Sequence, residues 1–347
     1  MKRLFLACVS AAGLIASTAA YACTPPFPHP EYLLVGNKGE DNVSFIEMET
    51  GREISRRPVS GKAPHEIAIS PNGRFAAVVN YGDAIIDIFD IPFRVITASI
   101  DLGEHTRPHG LIALRSGGFI ATTEGNDSIV ILSPDHDLNG FPNGPCPIYN
   151  WKVSAISTDQ EGTHMIAVSP DEAIAYTANM QSATVSRIDL KTEKIISAPA
   201  GKEVEGIAVT KDGTEVWASV RGEDKVVIFD ATSLKKLDEI KVGKFPLRII
   251  VSPDGKNMVT SNLMDGTVTV LDVASREIER TIRVSGSDQT RQVTLLFNQD
   301  GTRLYVAETG TNKIAEIDFA SGEVIGRLSG GEQGDGLAIV PAFRWDK

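Results

Sequence analysis

The chain has 347 residues, of which 42% are hydrophobic, 23% are charged and 6% are aromatic, and it contains 31 glycines. This composition is typical of a soluble globular chain with one large or two ordinary domains. The formal net charge of −11 excludes nucleic acid as an expected partner, because polyanions bind to basic surfaces.

The N-terminus has the pattern of a secretory signal peptide over residues 1–22. A basic pair precedes the apolar stretch 4–15, and Ala-Tyr-Ala at 20–22 has the small-x-small form of a signal-peptidase site. We therefore expect cleavage before Cys23, an N-terminal extension over 23–30 and a periplasmic or secreted protein. A lipoprotein anchored through Cys23 is the alternative, although a lipobox would usually have Leu where this chain has Ala. We expect no membrane span, since no later apolar stretch is long enough.

One motif, an apolar run, a turn and a second apolar run, recurs along the rest of the chain. The copies are PHEIAISPNGRFAAVVN from Pro64, PHGLIALRSGGFIATTE from Pro108, THMIAVSPDEAIAYTAN from Thr163, VEGIAVTKDGTEVWASV from Val204, PLRIIVSPDGKNMVTSN from Pro246 and QVTLLFNQDGTRLYVAE from Gln292. Each copy continues into a third run, such as IIDIFD or KVVIFD, and after a turn into a fourth strand. Four short strands per unit of about 40 residues are typical of a propeller blade.

The two ends of the chain complete a seventh unit. GDGLAIV from Gly334 supplies a first strand only, and EYLLVGN from Glu31 has the form of a second strand without its first. We therefore expect an all-β, seven-bladed β-propeller over 31–347 as a single domain. The N- and C-terminal strands would close one blade and remove free sheet edges. A long insertion is expected at about 133–150.

The repeats SPNGRFAAVVN, SPDEAIAYTAN and SPDGKNMVTSN resemble those of the YVTN, or YncE-like, family of bacterial exported propellers. The likeness covers residues 31–342. It implies the seven-bladed fold and an exported protein. Members of that family include binding proteins and surface proteins, so the resemblance implies no single activity.

One alignment column concentrates histidine, eight residues before each turn glycine or its equivalent. The column reads His65, His109, His164, Glu205, Leu247, Val293 and Asp335, so half of the chain's 6 histidines lie on three consecutive blades. Because innermost strands start at one mouth of the central channel, these side chains are expected to meet there. A second column, fifteen residues later, contains Glu124, which we expect opposite His109 across a hairpin.

Imidazoles and carboxylates at one mouth favour metal binding. The main hypothesis is a divalent transition-metal ion (Zn, Cu or Fe) held by His65, His109 and His164, with Glu124 and Glu205 as fourth ligand or catalytic base. Such a site would suit a lyase or hydrolase of a small molecule. Metal-free acid–base or ligand contacts, and a structural role in sealing the channel, are the alternatives for the imidazoles. The alternative function is a non-catalytic propeller that binds a ligand, a metal ion or a protein partner on its rim.

Three arginines, Arg107, Arg221 and Arg248, lie near the same mouth in the alignment. They are candidates for binding the anionic group of a substrate, and interblade salt bridges are the competing interpretation. The sequence has no C-x-x-C-H motif for covalent haem attachment. A cofactor bound non-covalently over the channel is still compatible with the sequence.

The insertion contains a partial calcium-loop pattern. Asp135, Asp137 and Asn139 match its start, but the twelfth position is Cys146 rather than Glu, so a solvated turn is the competing interpretation. Cys146 could instead form a disulfide with Cys23 in an oxidising compartment.

Overall fold

A computed structural model describes residues 29–135 and 150–342 of the chain. Within these residues the regular structure is 28 β-strands and two short 3-10 turns, at Arg221–Glu223 and Asp288–Thr290. The strands form seven four-stranded antiparallel sheets. None of the described residues forms a helix of the length and hydrophobicity that crossing a membrane requires.

The strands follow the repeats in the sequence. Blade 7 holds β1 (Tyr32–Asn37), β2 (Asn42–Glu47) and β3 (Arg52–Pro58). Blade 1 holds β4 (Pro64–Ile69), β5 (Phe75–Asn80), β6 (Ile85–Asp90) and β7 (Val95–Asp101). Blade 2 holds β8 (Pro108–Ala113), β9 (Phe119–Thr123), β10 (Ser128–Pro134) and β11 (Trp151–Ser157). Blade 3 holds β12 (Thr163–Val168), β13 (Ile174–Asn179), β14 (Thr184–Asp189) and β15 (Ile195–Pro199).

The second half repeats the arrangement. Blade 4 holds β16 (Val204–Val209), β17 (Glu215–Val220), β18 (Lys225–Asp230) and β19 (Lys236–Lys241). Blade 5 holds β20 (Pro246–Val251), β21 (Asn257–Asn262), β22 (Thr267–Asp272) and β23 (Glu277–Arg283). Blade 6 holds β24 (Gln292–Phe297), β25 (Arg303–Glu308), β26 (Lys313–Asp318) and β27 (Glu323–Ser329). The last strand, β28 (Gly334–Val340), returns to blade 7.

The terminal strands close the ring as the sequence predicts. β28 pairs antiparallel with β1, so that Tyr32 lies opposite Val340 and Leu34 opposite Ala338. The innermost strands of neighbouring blades contact one another around the whole ring, including β28 with β4. The all-β, seven-bladed prediction is therefore confirmed.

Packing between blades explains the nearly continuous apolar runs of the second strands. Every residue of β5 is buried, whereas β7 at the outer edge alternates between exposed and covered positions. Core clusters join neighbouring blades, as where Phe75 of blade 1 and Phe119 of blade 2 share one cluster. A strand enclosed between two sheets needs apolar side chains on both faces, so the apolar run replaces the usual alternation.

Several predictions fall on residues outside the described ranges. These are the signal peptide, Cys23, Cys146, and the calcium-loop residues Asp137 and Asn139. Asp135 is described, and its carboxylate accepts hydrogen bonds from the backbone and side-chain amides of Asn150. The calcium loop, the disulfide and the domain boundaries stay predictions.

Candidate functional site

A β-bulge lies at the start of each innermost strand. In blade 1, Pro64 pairs with Asn80 but Ile67 pairs with Val78, which leaves two residues of β4 opposite one of β5. The other six blades show a similar register shift at the same place. A bulge interrupts the ladder and re-aims the side chains within it. The residues at these positions therefore contact groups of other blades at the channel mouth.

The bulge corrects the expected pairing of Glu124 with His109. In blade 2, Pro108 pairs with Thr123, so Glu124 lies one residue beyond β9 and its carboxylate reaches the next blade instead. There Glu124 Oε1 forms a short hydrogen bond with His164 Nδ1. The sequence predicted the right neighbourhood, but it assigned the wrong partner.

The three column histidines form one cluster of adjacent, mutually tilted rings at this mouth, which we call the histidine cluster (His65, His109 and His164). The ring centroids of His65 and His109 are 4.1 Å apart, and those of His109 and His164 are 3.8 Å apart. His109 is 2% exposed and His164 is 7% exposed. Each ring has one buried nitrogen without a hydrogen-bond partner among the described residues. Buried polar atoms of this kind call for a partner, which here can be a ligand.

The two outer imidazoles of the histidine cluster each lie between two carboxylates. His65 Nδ1 is 3.7 Å from Glu66 Oε1, and its Nε2 is 3.4 Å from Asp335 Oδ2. His164 has Glu124 at Nδ1, and its Nε2 is 3.5 Å from Glu205 Oε1. Apart from the Glu124 hydrogen bond, these distances describe ion-pair contacts rather than hydrogen bonds. Burial alone would lower the pKa of His164, but its two carboxylate neighbours raise it above its usual value.

His109, the central imidazole, differs from its neighbours. It makes no ion pair with a carboxylate within the described ranges, and its Nδ1 is one of the buried nitrogens without a partner. Burial, reinforced by the charges of His164 and His65, holds the pKa of His109 well below its usual value. His109 is therefore a neutral imidazole, and a neutral imidazole nitrogen with a free lone pair can bind a metal centre.

Arg248 joins two of these carboxylates across the channel. Its two terminal nitrogens lie 2.8 Å from Glu66 Oε1 and 3.1 Å from Glu205 Oε1. Burial would raise the pKa of Glu205, but His164, Arg248 and Arg221 lower it to about 2. Glu205 is therefore charged at neutral pH.

Tyr81 and Arg107 cover one side of the histidine cluster. The Tyr81 ring lies 5.4 Å from His65 and 5.5 Å from His109, and its hydroxyl donates to Glu124 Oε2 at 2.8 Å. Arg107 lies over the Tyr81 ring at 4.9 Å and pairs with Glu124 at 2.7 Å. Arg107 is held in the left-handed region at φ 55°, which costs a non-glycine residue roughly 1–2 kcal/mol. This strained turn places its guanidinium at the mouth.

The structure separates the three candidate arginines by their surroundings. The Arg107 side chain is 51% exposed, whereas that of Arg221 is 23% exposed and pairs with Glu205 and Glu203. The Arg248 side chain is 4% exposed, and its terminal nitrogens already bind protein carboxylates. Arg107 is consequently the arginine with most room for an external anion, and the anion role stays a prediction.

Sequence reasoning gave no role to four further residues at this mouth: Glu66, Asp335, Tyr81 and Lys38. Lys38 Nζ pairs with Asp335 Oδ2 at 2.6 Å. The sequence does contain an indication for Glu66. The alignment column that follows the histidine column contains Glu66 and Arg248, which carry opposite charges. Their contact depends on the bulges, which that alignment did not include.

A pocket of about 710 Å³ opens beside the mouth, over blades 3 and 4. Its lining residues are Met180, Gln181, Ser182, Ala183, Thr184, Pro199, Gly201, Lys202, Glu203 and Arg221. Arg221 belongs both to this lining and to the ion pair with Glu205, so one side chain connects the pocket wall to the polar groups around the histidine cluster. The volume lies in the range of about 300–1,000 Å³ that is typical of small-molecule sites.

Two sets of side chains could each hold a metal ion, because the potential ligand atoms within each set lie within 4.8 Å of one another. The first set is His65, Glu66 and His109, and the second is His109, Glu124 and His164. The geometry alone therefore permits metal coordination, and it does not distinguish a bare ion from the metal of a larger cofactor.

Comparison with known proteins makes that distinction. The sequence matches the family model described as Cytochrome D1 heme domain over residues 27–262. A solved structure titled "Dihydro-heme d1 dehydrogenase NirN in complex with DHE" aligns with a TM-score of 0.59 and 15% identity, covering 88% of this chain and 74% of that one. At this identity the alignment shows the fold alone. None of the curated proteins matches the chain.

These matches correct one prediction and limit three others. The divalent transition-metal ion is wrong as the cofactor, because the matching family model describes a heme domain. A metal-dependent lyase or hydrolase gains no support, and the alternative of a ligand-binding propeller fits better. A seven-bladed propeller family is confirmed, whereas the YncE-like assignment and the catalytic roles of Glu124 and Glu205 stay predictions.

Proposed function

Because this chain belongs to the cytochrome D1 heme domain family, we propose that it binds heme d1 or a related tetrapyrrole at the channel mouth that carries the histidine cluster. The observation that supports this proposal is the set of three adjacent imidazoles, each with a buried nitrogen lacking a hydrogen-bond partner among the described residues. The proposed ligand is a small molecule, and a protein partner on the rim stays a prediction.

The residues at the mouth fit an iron tetrapyrrole in three respects. Imidazole is a common axial ligand of haem iron, and His109 offers a neutral one. Arg107 is half exposed at the same mouth and suits the carboxylate groups of such a ligand. Tyr81, beside His65 and His109, offers an aromatic surface for a flat macrocycle.

When bound, the iron tetrapyrrole would supply an open coordination site or an electron-transfer centre. The protein's part is to hold it. His109 would bind the iron, His65 and His164 would flank it, and the carboxylates around the outer rings would fix their orientation. Residues Glu124 and Glu205 then have supporting roles and need no part in hydrolysis.

The N-terminal pattern supports the proposal that this binding takes place after export, in the periplasm. That location requires no membrane-spanning helix. It is tested by fractionating cells that express the full chain and sequencing the N-terminus of the exported form, which we expect to be Cys23.

A titration tests tetrapyrrole binding. Ferric protoporphyrin IX, used as the probe, should bind the purified protein at one equivalent with a shifted Soret absorption band. His109→Ala should weaken binding at least tenfold, because it removes the neutral ring nitrogen. His105→Ala is the matched control, since His105 contacts Ser128 and Asn126 instead of the cluster. Equal affinity of the wild type and His109→Ala would refute the role given to His109, and no saturable binding to the wild type would refute the function.

A further inference from the structure

We propose that Arg248 is a positioning residue for the histidine cluster, holding Glu66 and Glu205 across the channel so that His65 and His164 are fixed and His109 is left to bind the ligand. The part of this inference that concerns ligand binding rests on the proposed function. The part that concerns the imidazoles can be measured in the protein alone.

The Arg248 guanidinium spans the channel. Arg248 lies on β20 of blade 5 and Glu66 lies on β4 of blade 1, and these two blades are not neighbours in the ring. Their 2.8 Å bond therefore crosses the lumen, and the 3.1 Å bond from Arg248 to Glu205 joins blade 5 to blade 4. One side chain thus ties together blades 1, 4 and 5 at the level of the cluster.

The same two carboxylate oxygens that receive Arg248 also face the outer imidazoles. Glu66 Oε1 is 3.7 Å from His65 Nδ1, and Glu205 Oε1 is 3.5 Å from His164 Nε2. The second side of each outer ring is occupied by another acid, Asp335 for His65 and Glu124 for His164. Each outer imidazole therefore has a carboxylate facing each of its nitrogens, and Arg248 fixes the position of one of the two carboxylates in each case.

Burial makes this arrangement rigid. The side chains of Arg248, Glu66 and Glu205 are 4%, 12% and 5% exposed. Water is largely excluded, so a carboxylate that lost Arg248 would turn to another partner, and its imidazole would follow. A planar guanidinium can hold two carboxylates at a fixed angle, which a lysine ammonium does not reproduce.

The expected effect on the ligand follows from the role of groups that lie outside the direct ligands of a metal and fix the geometry of the site. Removing such an orienting group typically lowers affinity by about 10–100-fold. If His65 and His164 rotate, the space beside His109 changes although His109 is untouched. Arg248→Met should therefore weaken the binding of ferric protoporphyrin IX by about 10–100-fold.

Arg74→Met is a matched control. Arg74 is also 4% exposed and makes a 2.8 Å bond to the buried Asp90, at the end of blade 1 opposite to the cluster. Both substitutions remove a buried guanidinium from a carboxylate. A purely structural role for Arg248 would therefore give similar results for the two variants.

The decisive measurement is nitrogen NMR of selectively ¹⁵N-histidine-labelled protein without ligand at pH 7, which reports on the imidazole rings. Urea unfolding of the same samples measures stability, and the probe titration measures affinity. Arg248→Met should shift the ring-nitrogen resonances of His65 and His164 and weaken probe binding, and Arg248→Lys should not restore the wild-type spectrum. Arg74→Met should lower stability with wild-type ring resonances. Unchanged ring resonances in a folded Arg248→Met would overturn the proposal.

A second variant covers the case in which Arg248→Met does not fold. Glu66→Gln keeps the shape of the side chain but removes its charge, which weakens both the bond across the lumen and the contact with His65 Nδ1. It should therefore shift the His65 resonances and leave those of His164 in place. Unchanged His65 resonances would overturn the proposal. If the wild type fails to bind the probe while the ring resonances respond as expected, the proposed function fails and the positioning role stands.

Discussion

Replacing Glu205 by Gln should remove a large electrostatic contribution to stability. Glu205 is 4% exposed, and its carboxylate receives Arg221 and Arg248 and lies 3.5 Å from His164. Although burial opposes its ionisation, these neighbours lower its pKa from 4.5 to about 2. Because one pKa unit corresponds to about 1.4 kcal/mol, the difference of 2.5 corresponds to about 3 kcal/mol.

The sign of this contribution sets its pH dependence. A carboxyl with a lowered pKa in the folded state stabilises the fold fully above its unfolded pKa of 4.5, and the contribution is lost as the pH falls toward 2. Glu205→Gln should therefore lower the free energy of unfolding by about 3 kcal/mol at pH 7. The gap between wild type and variant should narrow progressively below pH 4.5.

Urea denaturation at a series of pH values from 7 to 3 measures this gap. Glu203→Gln is the control, because Glu203 also pairs with Arg221 but its side chain is 39% exposed, and exposed ion pairs contribute about 1 kcal/mol or less. A loss below about 1 kcal/mol for Glu205→Gln at pH 7, or a gap that stays constant on acidification, would refute the reasoning.

Three further predictions test the fold and its charges. Gly206→Ala should destabilise the protein by about 2–4 kcal/mol, because the new Cβ would lie 2.5 Å from the Leu247 carbonyl oxygen. Gly326→Ala, which meets nothing closer than 3.6 Å, should be near neutral in the same urea experiment, and equal losses would contradict this. His164→Gln should destabilise the protein more at pH 6 than at pH 9. A histidine whose pKa is raised in the folded state stabilises the fold below its unfolded pKa, and this contribution is lost as the pH rises. A difference in unfolding free energy between wild type and variant that widens with pH would contradict the assignment. Truncation before Gly334 should abolish the cooperative unfolding transition seen by circular dichroism, since it leaves β1 without its inner partner β28. A truncated protein that melts like the wild type would show that closure of the ring is dispensable.

The fold was predictable from the sequence because its signals are local and repeated. Turns such as SPNG and SPDG separate apolar runs at regular spacing, and the two incomplete repeats at the termini together form one blade. The meeting of His65, His109 and His164 was likewise predictable, since equivalent positions of a ring of repeats lie around one axis.

The partners within the site were not predictable in the same way. An extra residue in a strand leaves the apolar pattern intact, so the bulges that re-aim Glu66 and displace Glu124 gave no signal in the repeat alignment. The bond between Glu66 and Arg248 joins residues 182 positions apart across the lumen. The cofactor was mistaken because imidazoles and carboxylates suit both a bare metal ion and the iron of a tetrapyrrole.

Mass spectrometry under native conditions tests the central claim most directly. The full chain would be expressed in cells that make heme d1, purified from the exported fraction, and weighed beside His109→Ala prepared in the same way. We predict that the wild type carries one non-covalent tetrapyrrole, released on denaturation, and that His109→Ala carries much less. A wild-type protein with the mass of the polypeptide alone, from an extract in which the tetrapyrrole is present, would contradict the account.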